Sequence, residues 1–179
     1  MIEQENEFKL MLTNEEYERL SCFLQVNTVK PILQTNYYYD TRDQDMRKKN
    51  MTVRVRRKES CLIGTIKHHL DQDGHSVEHR FQVDMLPQFI VLDDEMLILM
   101  GALETQRRTF KVCEGVTIML DLNQYLDFTD FEVEIEFNEK LRGEATGVLL
   151  LLQNVIKGEH CSNTISKSER FFRRLKCFE

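Results

Sequence analysis

Glu5, Glu7 and Lys9 stand two residues apart near the N-terminus, Arg54 and Arg56 repeat that spacing, and Glu132, Glu134 and Glu136 repeat it again. On a β-strand, side chains at i and i+2 share one face, about 7 Å apart. A charged row is ordinary on the solvated face of an antiparallel sheet, where an exposed ion pair contributes ~0.2–1 kcal/mol. Such faces usually mix signs along a strand, because like charges in line repel. Here the signs segregate by strand: acids near residue 134, arginines near residue 55. A bound cation relieves the acids and a bound polyanion relieves the arginines. A magnesium complex of a triphosphate does both. Mg²⁺ takes oxygen ligands from one or two carboxylates, water and phosphate. Arginine offers phosphate a planar fork and lysine a point charge.

Rows of this kind need strands to hold them. Residues 4–12 alternate, with Phe8, Leu10 and Leu12 opposite Glu5, Glu7 and Lys9. Further strands are expected at 35–40, 51–57, 62–67, 76–83, 103–113, 115–122 and 130–137. Thr13-Asn14-Glu15-Glu16 has the pattern of a capping box opening a helix, with Tyr17, Leu20, Phe23 and Leu24 as its apolar stripe. Residues 87–100 read as one or two short helices broken near Asp93-Asp94, and helices are expected at 142–156 and 166–175. The fold class is therefore α+β: an eight-stranded antiparallel closed β-barrel with flanking helices, since eight such strands remove their edges by closing. With the charged faces inward, the terminal helices cover the apolar faces from outside. A charged lumen is costly unless ligand, metal and water compensate it.

At 179 residues the chain suits a single domain, 1–179. The net charge of −6 argues against bulk attraction to nucleic acid. The five cysteines, Cys22, Cys61, Cys113, Cys161 and Cys177, are odd in number and lack a C-x-x-C pair. That points to reduced thiols and a cytoplasmic protein without a disulfide frame or zinc site. His68 and His69 are adjacent and so face opposite ways, which leaves no histidine metal spacing. No apolar run is long enough to cross a bilayer, and the acidic N-terminus does not resemble a signal peptide. Tyr37 to Tyr39 are expected to pack, and Arg170, Arg173, Arg174 and Lys176 to form a solvated helix face that steers anions. Nothing in the sequence separates a monomer from a homodimer.

The ordered series of charged positions resembles the CYTH (triphosphate tunnel metalloenzyme) family, especially its small members from low-GC Gram-positive bacteria. Glu5-Asn6-Glu7-Phe8-Lys9 resembles the family's E-x-E-x-K first strand, and Tyr38-Tyr39-Asp40-Thr41 its second. Arg54-x-Arg56, Thr65-Ile66-Lys67, Glu78, Asp121, Glu132-x-Glu134-x-Glu136 and Ser166-Lys167 follow in the family's order. The resemblance implies a Mg²⁺- or Mn²⁺-dependent hydrolase that cleaves the terminal phosphate of inorganic triphosphate or a small organic triphosphate inside the tunnel. By the same resemblance, Glu5, Glu7 and Glu136 hold one metal, while Asp121 and Glu134 hold a second or orient water. Lys9, Arg54, Arg56, Lys67, Arg107 and Lys167 bind phosphates, and Glu78 and Glu132 support them, Glu132 at the mouth. Arg107 is preferred to Arg108 because Phe110 and Val112 share the face of Arg108. Two alternatives stand beside hydrolysis. A class IV adenylate cyclase carries a His-Phe pair shortly before E-x-E-x-K, where this chain has Met1-Ile2-Glu3-Gln4. The other is a non-catalytic polyphosphate- or nucleotide-binding protein. With no tryptophan to stack on an organic moiety, inorganic triphosphate is favoured.

Overall fold

The computed structural model describes residues 6–69, 76–157 and 165–177, so Glu5 and Cys161 lie outside the described residues. In chain order the elements are β1 (Asn6–Leu12), α1 (Asn14–Phe23), β2 (Ile32–Asp40), α2 (Asp45–Lys48), β3 (Met51–Lys58), β4 (Cys61–His69), β5 (Ser76–Gln82), β6 (Phe89–Leu92), β7 (Glu95–Cys113), β8 (Val116–Tyr125), β9 (Phe128–Phe137), α3 (Arg142–Ile156) and α4 (Lys167–Leu175).

The hydrogen-bonded strand order is β1-β9-β8-β7-β2-β3-β4-β5, with β6 paired to β7. This corrects the eight-stranded closed barrel on two points. The sheet has nine strands, and among the described residues its path ends at β1 and β5 without a ladder joining them. Both end strands carry charge, Glu7 and Lys9 on one and Glu78 and Arg80 on the other. Charged side chains on an edge strand disfavour further pairing.

The additional strand is β6, in the segment expected to be helical. Phe89 to Leu92 pairs with Glu95 to Ile98, Leu92 standing opposite Glu95. The two residues between them, Asp93 and Asp94, have φ of 50° and 64°. Two successive positive φ values make the tight turn whose twist suits a hairpin, and aspartate is among the residues that visit this region most readily. A continuous apolar run has no period with which to announce the hairpin.

The chain forms two compact units, with β7 running from one into the other. The first comprises Gln34–Glu104 together with α4, and the second Glu5–Leu33 with Thr105–Ser166. In the second unit, Leu10 and Leu12 of β1, Ile118 and Leu120 of β8, and Val133 and Ile135 of β9 make one apolar face. Tyr17 and Leu20 of α1 and Ala145, Leu152 and Ile156 of α3 close over it. The capping box of α1 is present: Thr13 Oγ1 accepts from Glu16 N, and Glu16 Oε2 accepts from Thr13 N at 2.7 Å. Phe23, expected in the stripe, is instead exposed.

In the first unit, Tyr39, Val53, Val55, Met46 and Leu97 form the core, with Tyr37 packed against it. Helix α4 packs on the other side of this sheet, by way of Tyr38, whose ring lies 5.0 Å from that of Phe171. Ser168 Oγ lies 3.3 Å from Thr52 Oγ1. Tyr38 stands opposite Arg54 in register, so α4 covers the charged face rather than the apolar one. This corrects the expectation of a helix covering apolar strand residues: the aromatic Tyr38 supplies an anchor on an otherwise polar face. Arg170 is buried rather than solvated, while Arg173 and Lys176 are exposed.

Candidate functional site

The polar face of the second unit is built by the registers of β9. Glu136 stands opposite Glu7 on β1 and Thr117 on β8, and Glu134 opposite Lys9 and Met119. Glu132 stands opposite Met11 and Asp121. Alternation puts these side chains on the face away from the apolar core. Asp121, Glu132 and Glu134 offer carboxylate oxygens that all lie within 4.8 Å of one another. Their exposures are 0 %, 0 % and 5 %.

Two cations sit against Asp121 and Glu134. Arg107 donates from Nε to Asp121 Oδ1 at 2.8 Å and from Nη2 to Asp121 Oδ2 at 2.6 Å. The same Nη2 also donates to Glu134. Lys9 Nζ lies 2.9 Å from Glu7 Oε1 and 3.2 Å from Glu134 Oε1. Burial pulls the pKa of both cations down, but the adjacent carboxylates outweigh it and hold each above its ordinary value. Both are therefore firmly charged at neutral pH. Arg108 faces the other way, donating to the Tyr17 hydroxyl at 3.3 Å. Thus Arg107 is the arginine that meets the acids.

Glu132 and Glu136 lie at different depths on this face. Glu132, expected at the mouth, is fully buried in the trio, whereas Glu136 is exposed beside the exposed Glu7. All three β9 glutamates share a face, but depth along the strand depends on what its neighbours bring. Beyond Glu132 the neighbours are buried Asn123, Tyr125 and Asp130.

The first unit carries the cationic row. Arg54 and Arg56 on β3 are half-buried, as are Lys67 on β4 and Lys167, the first residue of α4. Glu78 is the counter-ion of Lys67 and Arg54: its carboxylate lies 3.4 Å from Lys67 Nζ, 4.0 Å from Arg54 Nη2 and 3.2 Å from Arg80 Nη2. Burial alone would raise the pKa of Glu78, but Lys67, Arg54 and Arg80 together hold it below the ordinary carboxylate range. Arg56 donates from Nε to Asn36 Oδ1 at 2.8 Å. Asp40 serves the backbone, its carboxylate accepting from the N–H groups of Thr41, Met46 and Arg47.

Asn36, Thr105 and Asn123 were not singled out from the sequence. Neutral amides and hydroxyls break no charge pattern. Only the registers, Asn36 opposite Arg56 and Asn123 opposite Asp130, bring them into view.

The chain also resembles known proteins. The chain is 29 % identical over 178 residues to the "Putative triphosphatase YjbK" of Bacillus subtilis, covering 91 % of this chain and 93 % of that protein. Among solved structures, a putative adenylate cyclase of Bacillus halodurans superposes with a TM-score of 0.76 at 24 % identity, over 95 % of this chain and 98 % of the other. A putative adenylyl cyclase from Hippeastrum, reported with "a dominant triphophatase activity", gives 0.75 at 21 % identity over 96 % of each chain. At these identities the two structural likenesses concern the fold. The model of the CYTH domain matches residues 3–167, from the first charged strand to the lysine that opens α4, and the chain therefore belongs to the CYTH domain family.

Proposed function

We propose that this protein is a divalent-metal-dependent triphosphatase that removes the terminal phosphate of inorganic triphosphate or a small organic triphosphate. The observation that carries this reading is the buried trio Asp121, Glu132 and Glu134, whose oxygens lie within 4.8 Å of one another. Three convergent carboxylates with only oxygen donors suit a hard divalent cation, and burial makes their mutual repulsion costly without positive charge beside them. Asp121, Glu132 and Glu134 would hold the cation, with Glu7 and Glu136 contributing at the outer end of the same face, and Glu5 joins them only by the E-x-E-x-K resemblance. Bound Mg²⁺ or Mn²⁺ neutralises phosphate charge and lowers the pKa of water.

The chain's own residues supply the rest. By the family resemblance, Arg54, Arg56, Lys67 and Lys167 would take phosphate oxygens, as would Lys9 and Arg107. Arg54 Nε is buried and meets no hydrogen-bond partner among the described residues, which suits a donor for an incoming oxygen. Asp121 and Glu134 orient the attacking water. Its oxygen bonds to the terminal phosphorus as the bridging P–O bond breaks, giving orthophosphate and the shortened substrate. Positioning and charge neutralisation account for most of the rate gain in such transfers.

The test is phosphate release from a panel of triphosphates with Mg²⁺ or Mn²⁺, alongside an assay of ATP for cyclic AMP. Turnover of inorganic triphosphate is expected, lost by about 10²-fold or more in Lys9→Ala and Arg56→Ala proteins. Cyclic AMP formation would establish the cyclase instead. Tight triphosphate binding by calorimetry without turnover would establish a binding protein.

A further inference from the structure

Each carboxylate of the trio has a clamp, and the clamp on Glu132 is a neutral amide. Asn123 Nδ2 donates to Glu132 Oε1 at 3.3 Å and to Asp130 Oδ1 at 2.9 Å. Thr105 Oγ1 donates to Asn123 Oδ1 at 2.7 Å. Tyr125 OH donates to Asp130 Oδ2 at 2.7 Å. Thr105, Asn123, Tyr125, Asp130 and Glu132 are all buried, Asn123 and Glu132 completely.

This network leaves one orientation for the amide. Its two N–H groups point at two carboxylates, which only accept, and its oxygen points at a hydroxyl, which donates. The reverse orientation would set the amide oxygen against carboxylate oxygens. Thr105 thereby sets the amide, and the amide sets Glu132. The residues come from three strands, β7, β8 and β9, which gives the clamp little freedom. Outer partners of this kind orient metal-binding carboxylates, and losing one typically costs 10–100-fold in metal affinity.

We infer that Asn123 is a positioning residue that aims Glu132 at the cation, with Thr105 holding Asn123 in turn. The inference rests on the proposed metal site. It assigns Asn123 no contact with substrate and no proton transfer. Asn123 acts before substrate arrives, so its loss is read in metal affinity alone.

The experiment is titration of the full chain with Mn²⁺ by calorimetry without substrate, paired with melting in EDTA. Asn123→Leu keeps the volume approximately and removes both donors. Its Mn²⁺ affinity is expected to fall about 10–100-fold. Thr105→Val, which leaves Asn123 in place, provides a second route should Asn123→Leu fold poorly. It is expected to lower affinity several-fold. Tyr125→Phe removes the hydrogen bond to Asp130 Oδ2 and leaves the Asn123 donor to Glu132 in place. It is expected to lower the melting temperature in EDTA while Mn²⁺ affinity stays unchanged. Equal affinities in wild-type, Asn123→Leu and Thr105→Val proteins, with melting lowered in all variants, would reduce the network to a structural role and overturn the inference. Failure of the wild-type protein to bind Mn²⁺ would overturn the metal site itself, and the inference with it.

Discussion

Lys9 and Arg107 show how a buried charge is kept. Each loses solvent, and each is compensated by two carboxylates placed by strand register. Removing one member of such a set leaves the others uncompensated, so the set acts as a unit. Glu78 plays the matching role among cations, and its depressed pKa fixes the sign of a pH effect. A carboxylate whose folded pKa lies below its unfolded value, 4.5 for an ordinary glutamate, contributes stability above that value. The contribution disappears as pH falls through the folded pKa. Glu78→Gln is therefore expected to cost about 1–3 kcal/mol at neutral pH, with wild-type and variant denaturation midpoints converging as the medium is acidified below pH 4.5. A constant gap down to low pH would show that Glu78 stabilises by packing. Glu7, Lys9, Arg54, Arg56 and Glu134 were legible as residues because alternation reports the face on which a side chain lies. Glu132 was legible as an acid of that face but not as its most buried member.

Among the elements, α4 depends on one close approach. Gly101 has φ of 149°, and a Cβ placed on it would lie 2.7 Å from Phe171 Cζ. Phe171 is buried and packs with Tyr38 and Phe172. Gly101→Ala is thus expected to destabilise by about 1–3 kcal/mol through overpacking, read as a lower denaturant midpoint. Relief should come from trimming the ring in a Gly101→Ala, Phe171→Leu double variant. If the double variant is no better than the sum of its singles, the contact is not the cause. The helices α1 and α3 were readable because their caps and stripes are local. The β6–β7 hairpin was not: Phe89-Ile90-Val91-Leu92 carries no alternation, and its turn uses two aspartates at positive φ where glycine or asparagine would have signalled it.

On the scale of the molecule, a cation bound by the native trio stabilises the fold by mass action. At a hundred times the dissociation constant the gain is about 2.7 kcal/mol, or roughly 5–10 °C in melting temperature for a chain of this size. Mn²⁺ and Mg²⁺ are expected to raise the melting temperature to that extent, and EDTA to reverse the rise. A flat response to both metals would rule out a native-state metal site of useful affinity. No helix among the described residues is long and apolar enough to cross a membrane.

The amino-acid sequence alone determined the alternation of most strands, the helices with local caps, the order of charged positions and, through that order, the family. These are local properties, written in periods of two and 3.6 residues and in the chemistry of single side chains. Tertiary structure decided how deep each charge lies, which neutral residues hold it, which face α4 covers, and where the sheet stops. Those depend on registers between strands far apart in the chain, such as Lys9 with Glu134 and Glu7 with Glu136. A register is set by the packing of several elements at once, and no single segment encodes it.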